Sequence, residues 1–140
     1  MIQPFITFEG QAAAAMDFYE RVFDGTNKQI MRWSDLPPNP EAPPPEKMSD
    51  QVLYGRMTIC GTDVNFSDTD PDFHAPEVFA QSCFISLALH FESEKELRAT
   101  YAALSEGGTV LMEIAPQFFA EWYAWVQDKF GVTWQLICDG

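Results

Sequence analysis

The stretch PFITFEGQAAAAMDFYERVFDG, residues 4–25, holds two periodicities back to back. Phe5-Ile6-Thr7-Phe8 is a short apolar run with one hydroxyl, as a strand would have. Ala12, Ala15, Met16, Tyr19 and Phe23 then recur at helical spacing, and Gly25 suits the left-handed residue after a last helical turn. The same order returns in CFISLALHFESEKELRATYAALSEGG, residues 83–108. Phe84-Ile85-Ser86-Leu87 matches the first run position for position. Ser93 and Glu96 then stand as a capping box, in which the hydroxyl takes a free amide of the first turn. Leu97, Tyr101 and Leu104 form the buried stripe of this second helix, and Gly107-Gly108 ends it.

Three strand candidates follow each helix. After the first come KQIMRW (28–33), QVLYGRMTI (51–59) and DVNFS (63–67), the last two joined by a tight CGTD turn. After the second come TVLMEI (109–114), EWYAWVQ (121–127) and VTWQLIC (132–138), the last two joined by DKFG. One βαβββ unit is therefore written twice, in a first module 1–68 and a second module 82–140 joined by a linker 69–81. A unit of that size can hardly bury a sheet face alone, so both belong to one α+β domain or pair across a homodimer. The proline-rich DLPPNPEAPPPEKMSD (35–50) suits neither helix nor central strand and reads as a surface loop.

The 21 acids outnumber the 8 bases, for a net charge of −13. Such a chain repels phosphate backbones and anionic lipid heads, so no nucleic-acid or membrane partner is expected. No apolar run approaches the roughly 20 residues of a membrane helix. The start MIQPFITFEG lacks the basic region and apolar run of a secretory leader, which points to the cytoplasm. Cys60, Cys83 and Cys138 are odd in number and have no C-x-x-C spacing. They read as small reduced core residues.

PFITFEG…A…FYERVF, GRMTICGTDVNFSD and DKFGVTWQLI, in that order, resemble the vicinal-oxygen-chelate superfamily of glyoxalase and bleomycin-resistance-like proteins, and within it the PhnB-like branch. The resemblance covers nearly the whole chain. It implies two curved mixed sheets with helices on the convex side and a pocket on the concave side, commonly in a dimer. In metal-using members it also implies a divalent ion held by His, Glu or Gln from four strands. Carried over by residue, the first-strand positions fall at Phe5 and Phe84. The strand QVLYGRMTI carries Tyr54 where the branch often has His, and the terminal-strand position is Gln135. One amide and one phenol do not make the donor set a hard cation needs. No metal, no cofactor and no catalytic residue is therefore assigned.

Strand alternation puts Tyr54, Arg56 and Thr58 on one face, opposite Leu53, Gly55, Met57 and Ile59. Thr133, Gln135 and Ile137 likewise oppose Trp134, Leu136 and Cys138. The expected ligand-binding set is Tyr54, Arg56 and Gln135, with Phe5 and Phe84 as walls and Trp122, from the aromatic QFFAEWYAW (117–125), as a stacking partner. Such a pocket suits a small planar or anionic ligand. A structural ion pair with one of the many acids is the plain alternative for Arg56. His74 and His90 are the only histidines, and His90 continues the face of Ser86 and Ala88. The expected function is metal-free binding of a small molecule. Its rivals are a metal-dependent lyase, isomerase or dioxygenase using His90, Gln135 and Glu9 or Glu113, and a structural dimer module whose pocket is filled by its own aromatics. No strand-Gly-x-Gly-helix segment is present to cradle a nucleotide-type cofactor.

Overall fold

The computed structural model describes residues 1–41, 46–73 and 85–139. Its elements run β1 (Phe5–Phe8), α1 (Ala12–Phe23), β2 (Thr26–Arg32), β3 (Val52–Ile59) and β4 (Thr62–Asp68), then β5 (Leu87–Phe91), α2 (Glu94–Ser105), β6 (Thr109–Gln117), β7 (Ala120–Gln127) and β8 (Thr133–Cys138). The chain forms two compact units, Met1–Phe79 and Ala80–Gly140. Among the described residues each holds one α-helix and one four-stranded mixed sheet, in the order β1-β4-β3-β2 and β5-β8-β7-β6, and the first also has short 3₁₀ turns at Trp33–Asp35, Glu46–Met48 and Pro71–Phe73. In each, the first strand lies parallel to the last, and the other pairings are antiparallel. This is an α+β, glyoxalase-like fold in which the same topology is used twice.

In the first unit α1 lies on β3 and β4. A Cβ on Gly55 would sit 2.6 Å from Met16 Sδ, so only glycine lets the helix come this close. Tyr19 stacks on Phe66 at 6.1 Å, and both are fully buried. Each such side chain stabilises the fold by about 1.5–3 kcal/mol. The left-handed residue that ends α1 is Asp24 (φ 52) rather than Gly25. Gly25 is required for space instead, because a Cβ there would meet Met57 Sδ at 2.6 Å.

The N-terminus of α1 has no side-chain cap of its own. Asp68, at the end of β4 and 7% exposed, supplies one from a distance. Its Oδ1 accepts from Gly10 N and Ala12 N, both at 2.9 Å, while its Oδ2 accepts from Val52 N at 3.0 Å. The turn between β3 and β4 is the two residues Cys60 (φ 50) and Gly61 (φ 81). Two positive φ values match the twist of a two-residue hairpin. Cys60 is exposed there, contrary to its expected place in the core, whereas Cys138 is buried. Cys83 lies outside the described residues.

In the second unit Leu97 and Leu104 of α2 are buried, over β7 and β8. Trp134, Leu136 and Cys138 point into that core at 2% exposure or less. The cap on α2 is local, as the sequence indicated: Ser93 Oγ accepts from Glu96 N at 3.2 Å. The strand that leads into α2 is Leu87–Phe91, so it runs four residues beyond Leu87, where the sequence reading ended it. The whole run from Cys83 to Phe91 is strand-compatible, and pairing with β8 selects its second half. Asp128 anchors the turn between β7 and β8. It accepts from Phe130 N (2.9 Å), Val132 N (3.1 Å) and the indole of Trp134 (2.9 Å).

Candidate functional site

Because Gly55 faces α1, its neighbours Tyr54 and Arg56 face away from the helix. That helix-free side of the first sheet also carries Asn65, opposite Arg56 on β4, and Phe5, the partner of Asn65 on β1. Phe5 is 54% exposed and Tyr54 is 39% exposed. The Tyr54 hydroxyl donates to Asn65 Oδ1 at 2.9 Å. Arg56 donates to Asp63 Oδ2 in an ion pair, and Thr58 donates to Asp63 Oδ1 at 2.7 Å. The Thr58 hydrogen bond and then the Arg56 guanidinium hold the Asp63 carboxyl below its ordinary value. Asn27, Gln29, Arg56, Thr58 and Asp63 line an open polar depression of about 280 Å³.

The second sheet repeats one part of this arrangement atom for atom. Tyr123 stands two residues before the residue opposite Gln135, as Tyr54 stands two before the residue opposite Asn65. Its hydroxyl donates to Gln135 Oε1 at 2.9 Å. Tyr123 is 6% exposed, and burial pushes its phenol above the usual value. The counterpart of Arg56 is Trp125, and that of Phe5 is Ala88. The Trp125 indole donates to Ser86 Oγ at 3.0 Å. Ser86 in turn donates to Thr133 at 3.0 Å, and Thr133 donates to the Ile85 carbonyl at 2.6 Å. The helix-free side of this unit is thus aromatic and internally hydrogen-bonded, where that of the first is ionic.

Of the residues singled out in the sequence, Tyr54, Arg56 and Phe5 share one face of the first unit. Gln135 lies on the matching face of the second. Phe84 and His74 lie outside the described residues. Trp122 is on the other side of β7: it pairs with buried Cys138, and the Arg98 guanidinium of α2 lies 5.0 Å over its ring. It is therefore not brought together with Gln135. Asn65 and Tyr123, which complete the two tyrosine–carboxamide pairs, were not picked out from the sequence. Their signal was the repeat itself, once β3–β4 is laid over β7–β8.

Gln135 Oε1, the oxygen at the terminal-strand position, accepts a hydrogen bond from the Tyr123 hydroxyl. The register makes Ala88, not the expected Phe84, the counterpart of Phe5, and neither Phe5 nor Ala88 carries a side-chain donor atom. His90 is on β5 and Glu113 on β6, at opposite edges of the sheet, which is about 14 Å at roughly 4.8 Å per strand. Among the described residues, no three His, Cys, Asp or Glu side chains gather to hold an ion. Among them too, no helix is long and apolar enough to cross a membrane.

A family model described as 3-demethylubiquinone-9 3-methyltransferase matches residues 1–137. The crystal structure of protein PA1353 from Pseudomonas aeruginosa is similar at 26% identity and TM-score 0.83, covering 99% of this chain and 97% of that one. A putative 3-demethylubiquinone-9 3-methyltransferase, PhnB protein, from Bacillus cereus is similar at 27% identity and TM-score 0.76, covering 98% of each. The fosfomycin resistance protein FosX from Listeria monocytogenes, at 10% identity and TM-score 0.67, shares the fold over 100% of this chain and 93% of its own.

Proposed function

The chain belongs to the PhnB-like 3-demethylubiquinone-9 3-methyltransferase family of the vicinal-oxygen-chelate superfamily, and from that premise we propose that it binds a small molecule without a metal ion. The binding faces are the helix-free sides of the sheets, with Tyr54, Arg56 and Phe5 on one and Gln135 on the other. The working form is a cytoplasmic homodimer. The observation that carries this reading is the Tyr123–Gln135 hydrogen bond. It occupies one of the two lone pairs of the carboxamide oxygen and orients the group, so that the amide N–H groups and one remaining lone pair are what Gln135 offers a ligand. The Tyr54–Asn65 pair does the same in the first unit.

The family description names a methyltransferase, and that activity is not proposed. The two strand-to-helix junctions read Phe8-Glu9-Gly10-Gln11 and Phe91-Glu92-Ser93. Neither is the Gly-x-Gly turn that lets a backbone approach a nucleotide-type methyl donor.

Metal content of the purified protein, grown in metal-replete medium and dialysed, tests the reading. Metal well below one ion per chain, with no rise in melting temperature on adding divalent ions, is the expected result. One transition-metal ion per chain that survives dialysis, or a melting temperature raised by added divalent ions, would sink it.

A further inference from the structure

We propose that the depression between β2, β3 and β4 is a recognition site for a small zwitterion of the α-amino-acid kind, with its carboxylate on Arg56 and its ammonium on Asp63. This rests on the reading of the helix-free side of the first sheet as a binding face, and it names the ligand class of that face.

The local chain is shaped for more than sheet closure. Thr26 stands opposite Thr58 and Gln29 opposite Arg56, so β2 spends one extra residue on this stretch. Asn27, within the bulge, adopts the left-handed conformation (φ 56), and its side chain lies 3.4 Å from Thr58 Oγ1. Bulges of this kind re-aim side chains beside sites. Here the result is two carboxamides, Asn27 and Gln29, next to one guanidinium and one carboxylate. The Gln29 carboxamide makes no hydrogen bond among the described residues.

The charges select the ligand. Arg56 has five N–H donors, of which those of one terminal nitrogen are turned to Asp63; a carboxylate has about four lone-pair positions, and Asp63 uses two. Each partner thus keeps capacity while already facing the opposite charge. A bare anion on Arg56 would meet Asp63 beside it and a chain of net charge −13 around it. A bare cation on Asp63 would meet Arg56. A ligand carrying both charges on neighbouring atoms satisfies both at once, and its remaining polar groups face the two carboxamides. The depression is open, polar and about 280 Å³ in volume, which limits it to a small ligand. Nor does the sheet need this ion pair in order to close. The same positions in the second unit are Trp125 and Thr133, and the topology is identical.

The test is calorimetric titration of the full chain with each of the twenty free L-amino acids. The tightest binder is then repeated as its N-acetyl and its α-amide derivative. The expected result is saturable binding by at least one amino acid, weakened about tenfold or more by either blocked derivative and by Arg56→Gln or Asp63→Asn. Arg56→Lys and Asp63→Glu, which keep the charges, should retain part of it. Binding that survives both charge-removing variants overturns the proposal, as does the absence of binding by any amino acid. In the latter case a non-zwitterionic ligand lost on Arg56→Gln would leave the binding face standing, and a ligand indifferent to Arg56 would remove that as well.

Discussion

The two units fold to the same topology and tie themselves together differently. In the first, one buried carboxylate reaches across the chain: Asp68 holds Gly10, Ala12 and Val52, separated from it by 58, 56 and 16 residues. In the second, Asp128 accepts from Phe130 N, Val132 N and the Trp134 indole, each within six residues of it, and Ser93 caps its own helix. The helix-free faces diverge in the same way. One presents an open ion pair, and the other a closed chain of Trp125, Ser86 and Thr133. Topology alone therefore does not dictate polar chemistry. What both units keep is a tyrosine hydroxyl on a carboxamide at one register position.

The contrast between long-range and local anchoring can be broken most directly at Asp68. Asp68→Ala should cost about 3–5 kcal/mol in denaturant unfolding, since three bonds to a buried charge are lost. A loss no larger than that of a surface residue would remove the long-range tie from the account. Asp128→Ala should cost less, about 2–4 kcal/mol, with the loss of hydrogen-exchange protection confined to the β7–β8 turn. Spread of that loss into α2 would contradict the local reading. Ser93→Ala should cost about 1 kcal/mol, the ordinary value of a cap.

The shared tyrosine–carboxamide pair sharpens the comparison from the other side. Tyr123→Phe should destabilise by about 1 kcal/mol, and Tyr54→Phe, on an exposed hydroxyl, by a fraction of that. Equal effects would mean that burial does not separate the two. Because burial raises the Tyr123 phenol above 10.0, its contribution is complete below the ordinary tyrosine value and is lost as pH rises through the raised one. Alkaline unfolding of Tyr123→Phe should therefore lack that component. The smallest effect concerns Asp63, whose carboxyl is held down by Thr58 first and Arg56 second. Whatever the pair contributes is present above the ordinary value of 3.8 and lost as pH falls through the lowered one. In Thr58→Val, an NMR titration should show the Asp63 midpoint moving up toward 3.8, and an unmoved midpoint would reassign the cause.

Much of this was legible in the chain because it is local. The Ser93 cap, the Cys60-Gly61 turn and the alternation of Tyr54 with Gly55 each depend on a few neighbouring residues. Seven of the eight strands fall where alternation and turn residues put them. The eighth, β5, was displaced because an apolar run from Cys83 to Phe91 offers several equivalent strands, and only its partner β8 chooses among them. The same limit hid Tyr123. A diagonal hydrogen bond between β7 and β8 exists only once their register is fixed, and no spacing along the chain marks it. Trp122 was misplaced for a related reason: in a string of aromatics each residue fits either face, and the position of α2 decides which one is covered.

The distance between Asp68 and the helix it caps also has a consequence in time. As the chain is made from its N-terminus, α1 emerges early, with its first-turn amides open to water and no capping side chain of its own. It waits through the synthesis of β2, the proline-rich stretch and two further strands before residue 68 arrives. The second helix follows its cap by a single residue. Bringing chain ends together costs more entropy the further apart they are, so the cap of α1 closes only with the sheet around it, whereas that of α2 can form with its own first turn.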